Sequence, residues 1–234
     1  MISSVEKIAL ALVAVPVGLV ALNGRSDSAL TSAPSAVPAP AVDNPLAAKP
    51  GRETAVFAGG CFWGIQVVYQ HVKGVQSAVS GYAGGTVGSP SYEEVSSGTT
   101  GHAESVKVVY DPSKVSYGQL LQVFFAVAHD PTQLNRQGPD VGTQYRSAIF
   151  YTTDAQKKIA NAYIDQLSKG NIFSKPIVTK VAAFKGFNVA ESYHQNYATL
   201  HPNDLYIRFN DAPKVVNLKE ELSPLYKEEL SSWK

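Results

Sequence analysis

The pattern of apolar and polar positions changes character twice along this chain. Residues 8–22 form an almost unbroken apolar run, with Lys7 just ahead of it. A run of that length fits the hydrophobic part of an export leader and is short for a membrane span. From Ser26 to Pro50 the periodicity vanishes, and Ser, Ala and Pro dominate, with prolines at 34, 38, 40, 45 and 50. Such a composition makes a tether rather than a core. Periodic patterns begin after Gly51. The chain therefore divides into a leader over residues 1–24, a tether over 25–50 and a folded domain over 51–234. Ala39-Pro40-Ala41 and Thr31-Ser32-Ala33 are small-x-small candidates for cleavage, and retention of the leader as a membrane anchor stays open.

Within the domain the period alternates between the strand and helix values. Thr54 to Ala58 is a short apolar strand halted by Gly59-Gly60. Ile65, Val68 and Tyr69 place an apolar stripe on a helix from Cys61 to about His71. Val75–Tyr82 and Glu104–Tyr110 alternate as strands. The second has Val106, Val108 and Tyr110 on one face and stops at Asp111-Pro112. Ser116 can cap a helix running to about Ala128. A strand at 146–151, a helix at 155–167 bearing Ile159, Tyr163, Ile164 and Leu167, and a strand at 177–184 follow. Two short helices are expected near 190–200 and 217–230. Two long polar stretches, 84–101 and 129–144, read as loops, and loops that long in a compact domain usually carry function. Mixed strands and helices in this order imply an α+β layer fold.

Composition narrows the chemistry. The formal net charge is +1 and no dense Lys/Arg run exists, so nothing calls for nucleic acid. The single cysteine rules out an intrachain disulfide and a Cys-rich zinc site. Met1 is the only methionine, so the body of the domain offers none to oxidise. A lone cysteine is ordinarily a small buried hydrophobe. Cys61 has a different setting, because it follows two glycines at the start of a helix. Unpaired backbone N–H groups and the positive end of the helix dipole favour a thiolate there, so its pKa is expected to fall. The glycines are expected to leave the sulfur accessible. Phe62 and Trp63 either pack in the core or form an apolar wall beside the thiol, where a thioether methyl would fit.

These residues sit in longer runs. Gly60-Cys61-Phe62-Trp63-Gly64 is followed by 81–85 (GYAGG), 90–95 (PSYEEV), 98–104 (GTTGHAE), 129–131 (HDP), 140–147 (DVGTQYRS) and 190–197 (AESYHQNY). In this order, over roughly residues 53–205, they resemble the A-type peptide methionine sulfoxide reductases. The resemblance implies a two-layer α/β sandwich, a ferredoxin-like plait, with long active-site loops. It implies Cys61 as nucleophile and Glu104 as the acid that protonates the sulfoxide oxygen. Tyr92 and Tyr145 would be hydroxyl donors to that oxygen, Asp140 a support, and Phe62 and Trp63 the seat of the methyl. A carboxyl group in an apolar pocket keeps its proton near neutrality, which suits the role of Glu104.

Two departures stand out. Gln66 occupies a position where many members carry Glu, and no second cysteine exists to resolve a sulfenic acid. The resemblance therefore implies an external thiol, from a thioredoxin-like or glutaredoxin-like protein or a small molecule, and no metal or organic cofactor. Oxidised proteins or free methionine sulfoxide are the implied substrates. A monomer in the periplasm or cell envelope is expected. Two other readings remain: a cysteine hydrolase using Cys61, His194 and Asn196, and a non-enzymatic envelope module with an inert Cys61.

Overall fold

The computed structural model describes residues 37–86 and 88–233. The expected leader and the first part of the expected tether lie outside the described residues. The elements in chain order are β1 (Glu53–Gly59), α1 (Phe62–Gln70), β2 (Val75–Ala83), α2 (Tyr92–Ser96), β3 (Ala103–Tyr110), α3 (Tyr117–Val123), β4 (Arg136–Gln137), β5 (Asp140–Val141), β6 (Ser147–Tyr151), α4 (Asp154–Lys169), β7 (Lys180–Ala183), β8 (Phe187–Val189), α5 (Tyr197–Leu200) and α6 (Ala212–Glu221). A π-helical turn, Phe124–Ala128, continues α3, and another, Ile207–Asp211, leads into α6.

Four strands stand in the order β6-β1-β3-β2, each antiparallel to its neighbour. With α1 joining β1 to β2 and α3 between β3 and β6, this is the split βαβ arrangement of the ferredoxin-like plait. β7 extends the sheet parallel to β6, and β8 pairs antiparallel with β2. Strand alternation decides which residues meet the helices. Phe57, Val106, Val108, Tyr110 and Ile149 join Ile65, Val68, Tyr69, Leu120, Leu121 and Phe124 in the main core. Val56, Ala58, Ala148 and Phe150 point the other way into a smaller cluster, packed against Phe184 and Phe187.

Ser116 caps α3 as its sequence suggested, in a reciprocal box with Gln119. The stretch expected as a bare tether differs in its later part, where residues 37–43 lie along α3 and α4 and Ala47 donates its N–H to the Pro112 carbonyl. Tyr163 donates its hydroxyl to the Pro38 carbonyl at 2.6 Å, and the Gln166 amide bonds the backbone of both Ala39 and Ala41. Asp43 accepts from the Ser116 hydroxyl and from the Gly118 N–H.

Three other expectations shift. The loop at 84–101 contains α2, whose cap at Ser91 closes a box with Glu94. The helix expected at 190–200 is broken, because Asn196 takes a left-handed conformation and gives its N–H to Gln66 rather than to a helical carbonyl. The last helix begins earlier and ends at Glu221, three residues before Pro224. Pro213 in its first turn suits a helix start.

Candidate active site

β1 ends against two positions that tolerate no side chain. A Cβ on Gly59 would come within 2.9 Å of the His129 ring, and one on Gly60 within 2.5 Å of Gln137. Gly60 also has φ +97°, which disfavours L side chains. The chain then turns, and Cys61 becomes the N-cap of α1. The register that sets Phe57 opposite Val106 carries Glu104 to the level of Gly59. Glu104 thus meets the start of α1, where its Oε2 accepts the Phe62 N–H at 3.0 Å.

Burial dominates the electrostatics here. Glu104 is 3% exposed, and its carboxyl is pushed up to about 8 by desolvation, against the opposing Phe62 N–H. That bears on the sequence argument that this acid keeps its proton near neutrality. The expectation for Cys61 is overturned. Its thiol is raised well above the ordinary range, first by burial and then by the charges of Glu104 and Asp211. The Trp63 N–H and Lys214 act in the opposite direction. The helix start does favour the thiolate, but desolvation outweighs it. The sulfur is also less accessible than the glycines suggested, with Cys61 8% exposed.

The other residues singled out in the sequence converge on this point. Tyr145 and Tyr92 both lie in the fields of Glu104, Cys61 and Asp140, and burial raises both phenols. Asp140, in the short hairpin of β4 and β5, accepts the Tyr206 hydroxyl, and burial raises its carboxyl. Trp63 stacks on Tyr197 with ring centroids 3.8 Å apart and meets Tyr206 edge-on. Its indole N–H donates to His194 Nδ1 at 3.2 Å. Phe62 and Tyr92 also pack against the His194 ring. Glu191 fixes the flank by accepting from the Tyr92 N–H and the Tyr82 hydroxyl.

Gln66 is buried and fully engaged. Its amide donates to the Ala78 carbonyl and to Gln195 Oε1, and its own Oε1 accepts from the Asn196 N–H. The hydrolase triad does not form. The Asn196 carboxamide oxygen takes the Gln70 amide, and His194 serves Trp63. Sequence reading missed Tyr206, Asp211 and Lys214. No motif marks Tyr206. Asp211 and Lys214 carried only the weak signal of an opposite-charge i,i+3 pair at a helix start.

The profile of the family described as peptide methionine sulfoxide reductase matches residues 53–225. A relative from Mesorhizobium japonicum, named peptide methionine sulfoxide reductase MsrA 2, is 62% identical over 181 residues, 77% of this chain and 93% of its own. One of the same name from Synechocystis sp. is 50% identical, over 80% of this chain and 88% of its own. Among solved structures, Mxr1 from Saccharomyces cerevisiae in its reduced form is 34% identical with a TM-score of 0.58, covering 68% of this chain and 94% of that one. The chain belongs to the peptide methionine sulfoxide reductase family. It is an A-type enzyme, and its reaction is the thiol-dependent reduction of methionine sulfoxide to methionine.

Proposed function

We propose that Cys61 is the nucleophile and Glu104 the proton donor of this reaction. The observation that carries the assignment is the contact of the Glu104 carboxylate with the N-terminus of α1, beside the only thiol of the chain. The Cys61 sulfur attacks the sulfoxide sulfur as Glu104 protonates its oxygen, which gives an S–S-bonded adduct carrying a hydroxyl, and the proton lost from the thiol restores Glu104. The hydroxyl then passes to the Cys61 sulfur as the S–S and S–O bonds of the adduct break, which releases methionine and leaves Cys61 as sulfenic acid. A raised carboxyl pKa equips Glu104 for this, because it still holds a proton at neutral pH. The hydroxyls of Tyr92 and Tyr145 donate to the oxygen as charge builds on it. Asp140, held by Tyr206, supports them. The rings of Phe62 and Trp63 receive the methyl group, and only the S epimer at sulfur is accepted.

No second cysteine can resolve the sulfenic acid within this chain. An external thiol attacks it, water leaves, and a second thiol releases Cys61 with formation of the reductant's disulfide. A thioredoxin-like or glutaredoxin-like protein or a small thiol fills this role, and free or protein-bound methionine sulfoxide is the substrate. The apolar run after Lys7 supports export to the periplasm or cell envelope, with the leader cleaved or kept as an anchor.

The test is dithiothreitol-driven reduction of S- and R-methionine sulfoxide peptides, beside Cys61→Ser. Turnover of the S epimer alone, abolished in the variant, is expected. Mass spectrometry after one equivalent of substrate without reductant should find Cys61 carrying one extra oxygen. An unmodified thiol after product has formed would sink the assignment.

A further inference from the structure

A charged pair, one side chain buried and the other half-buried, stands near Cys61 with no part in the steps above. Asp211 closes the π-helical turn before α6 and is fully buried. Lys214 Nζ donates to its Oδ1 at 3.0 Å. Both press on Gly64, one helical turn beyond Cys61. A Cβ built there would fall 2.1 Å from Asp211 Oδ1 and 2.6 Å from Lys214 Nζ. The pair fills the space that a side chain at position 64 would need. Asp211 Oδ2 is buried and has no hydrogen-bond partner.

Stability alone is a poor reason for this arrangement. A buried ion pair with an unsatisfied oxygen is commonly no better than well-packed apolar side chains. The surroundings suggest an electrostatic reason. Around Cys61 stand Glu104 from β3, Tyr92 from α2, Tyr145 ahead of β6, Tyr197 from α5, and Tyr206 and Asp211 ahead of α6, and Asp140 of β5 accepts the Tyr206 hydroxyl. All of these are acids or phenols. Lys214 is a cation that favours the Cys61 thiolate, and it also faces Asp140 and the buried His129 ring.

We infer that Lys214, held across Gly64 by Asp211, is a positioning residue that supplies the countercharge to the Cys61 thiolate. The inference rests on Cys61 being the nucleophile. Lys214 eases loss of the thiol proton, and Asp211 fixes the ammonium while opposing that loss. Removing one or the other should therefore move the thiol in opposite directions. A generally loosened site would not do so.

The experiment is the pH dependence of iodoacetamide alkylation of the full chain, in which Cys61 is the only thiol to react. One charge at this range shifts a titration midpoint by on the order of one pH unit, or tenfold in rate below the midpoint. Lys214→Met should raise the midpoint by about that much, and kcat/KM for the sulfoxide should fall about tenfold with it. Asp211→Asn should lower the midpoint, the double variant should return towards wild type, and Lys214→Arg should stay close to it. Single variants that leave the midpoint unmoved, or move it in the same direction, would overturn the inference. If Lys214→Met fails to fold, Asp211→Asn decides: a lowered midpoint supports the countercharge, and an unchanged or raised one refutes it. Reductase activity surviving in Cys61→Ser would instead remove the nucleophile assignment. An inactive Cys61→Ser beside unmoved midpoints would remove only the countercharge.

Discussion

Replacing Glu104 by Gln should separate stability from catalysis in this protein. The carboxyl titrates near 8 in the fold, against an ordinary value of 4.5. A group raised on folding contributes its full stability below the unfolded value and loses it as pH climbs through the folded value. Between pH 5 and pH 8 the unfolded chain releases this proton while the native state holds it. Wild type therefore loses about 1.36 kcal/mol per pH unit from this group, or about 4 kcal/mol over the interval. Burial is nearly complete, so solvent screening takes little off that figure. The substituted carboxamide does not titrate, and its carbonyl can still accept the Phe62 N–H. Urea unfolding followed by tryptophan fluorescence should show the stability gap between variant and wild type widening in the variant's favour across that range. Turnover should fall by about 10²- to 10⁴-fold in the variant, the loss that follows removal of a general acid. Parallel stability curves from pH 5 to pH 8 would show that Glu104 does not titrate there, and the argument for a neutral acid would fail.

His129 should govern the acid side. Its ring is buried between the Phe124 carbonyl and the Ser147 hydroxyl, and burial lowers it to about 4. A depressed histidine contributes stability above the unfolded value that disappears as pH falls towards the folded one. Wild type should thus lose about 3 kcal/mol from this group between pH 6.5 and pH 4, and urea midpoints of His129→Gln should lack that acid-side decline. Asp43→Ala removes an acceptor from the start of α3 and should cost about 1–2 kcal/mol. Limited proteolysis should then cut within residues 37–50 much faster than in wild type. Trp63→Ala removes the ring stacked on Tyr197 and should raise KM by roughly tenfold with a smaller change in kcat, read by steady-state kinetics on a sulfoxide peptide.

The strands and the long helices were legible because each buries one face. Val106, Val108 and Tyr110 all reach the main core as their alternation required. α1 was legible only in part. The sequence suggested a stripe, yet every residue of this helix except Trp63 is buried, because the sheet packs on one side and α5 and α6 on the other. Motif order singled out Cys61, Glu104, Tyr92, Tyr145 and Asp140, and in the fold both phenols lie in the fields of the other three. What sequence could not supply was the balance of forces on the thiol. Helix-start chemistry is local and readable, whereas desolvation depends on the assembled fold, and the charges of Asp211 and Lys214 reach the thiol from near the chain's far end. The role of Gln66 was hidden for the same reason. Its partners at 195 and 196 lie about 130 positions away.

The segment at residues 37–50 has a consequence for how the domain comes together. Its contacts with Gln122, Tyr163 and Gln166 span separations of 85 to 127 residues. Such pairings form late, after the local elements they join already exist. The first part of the domain to be synthesised cannot settle until the chain has been made out to Gln166. Its docking over α3 and α4 thus waits for most of the domain to leave the ribosome.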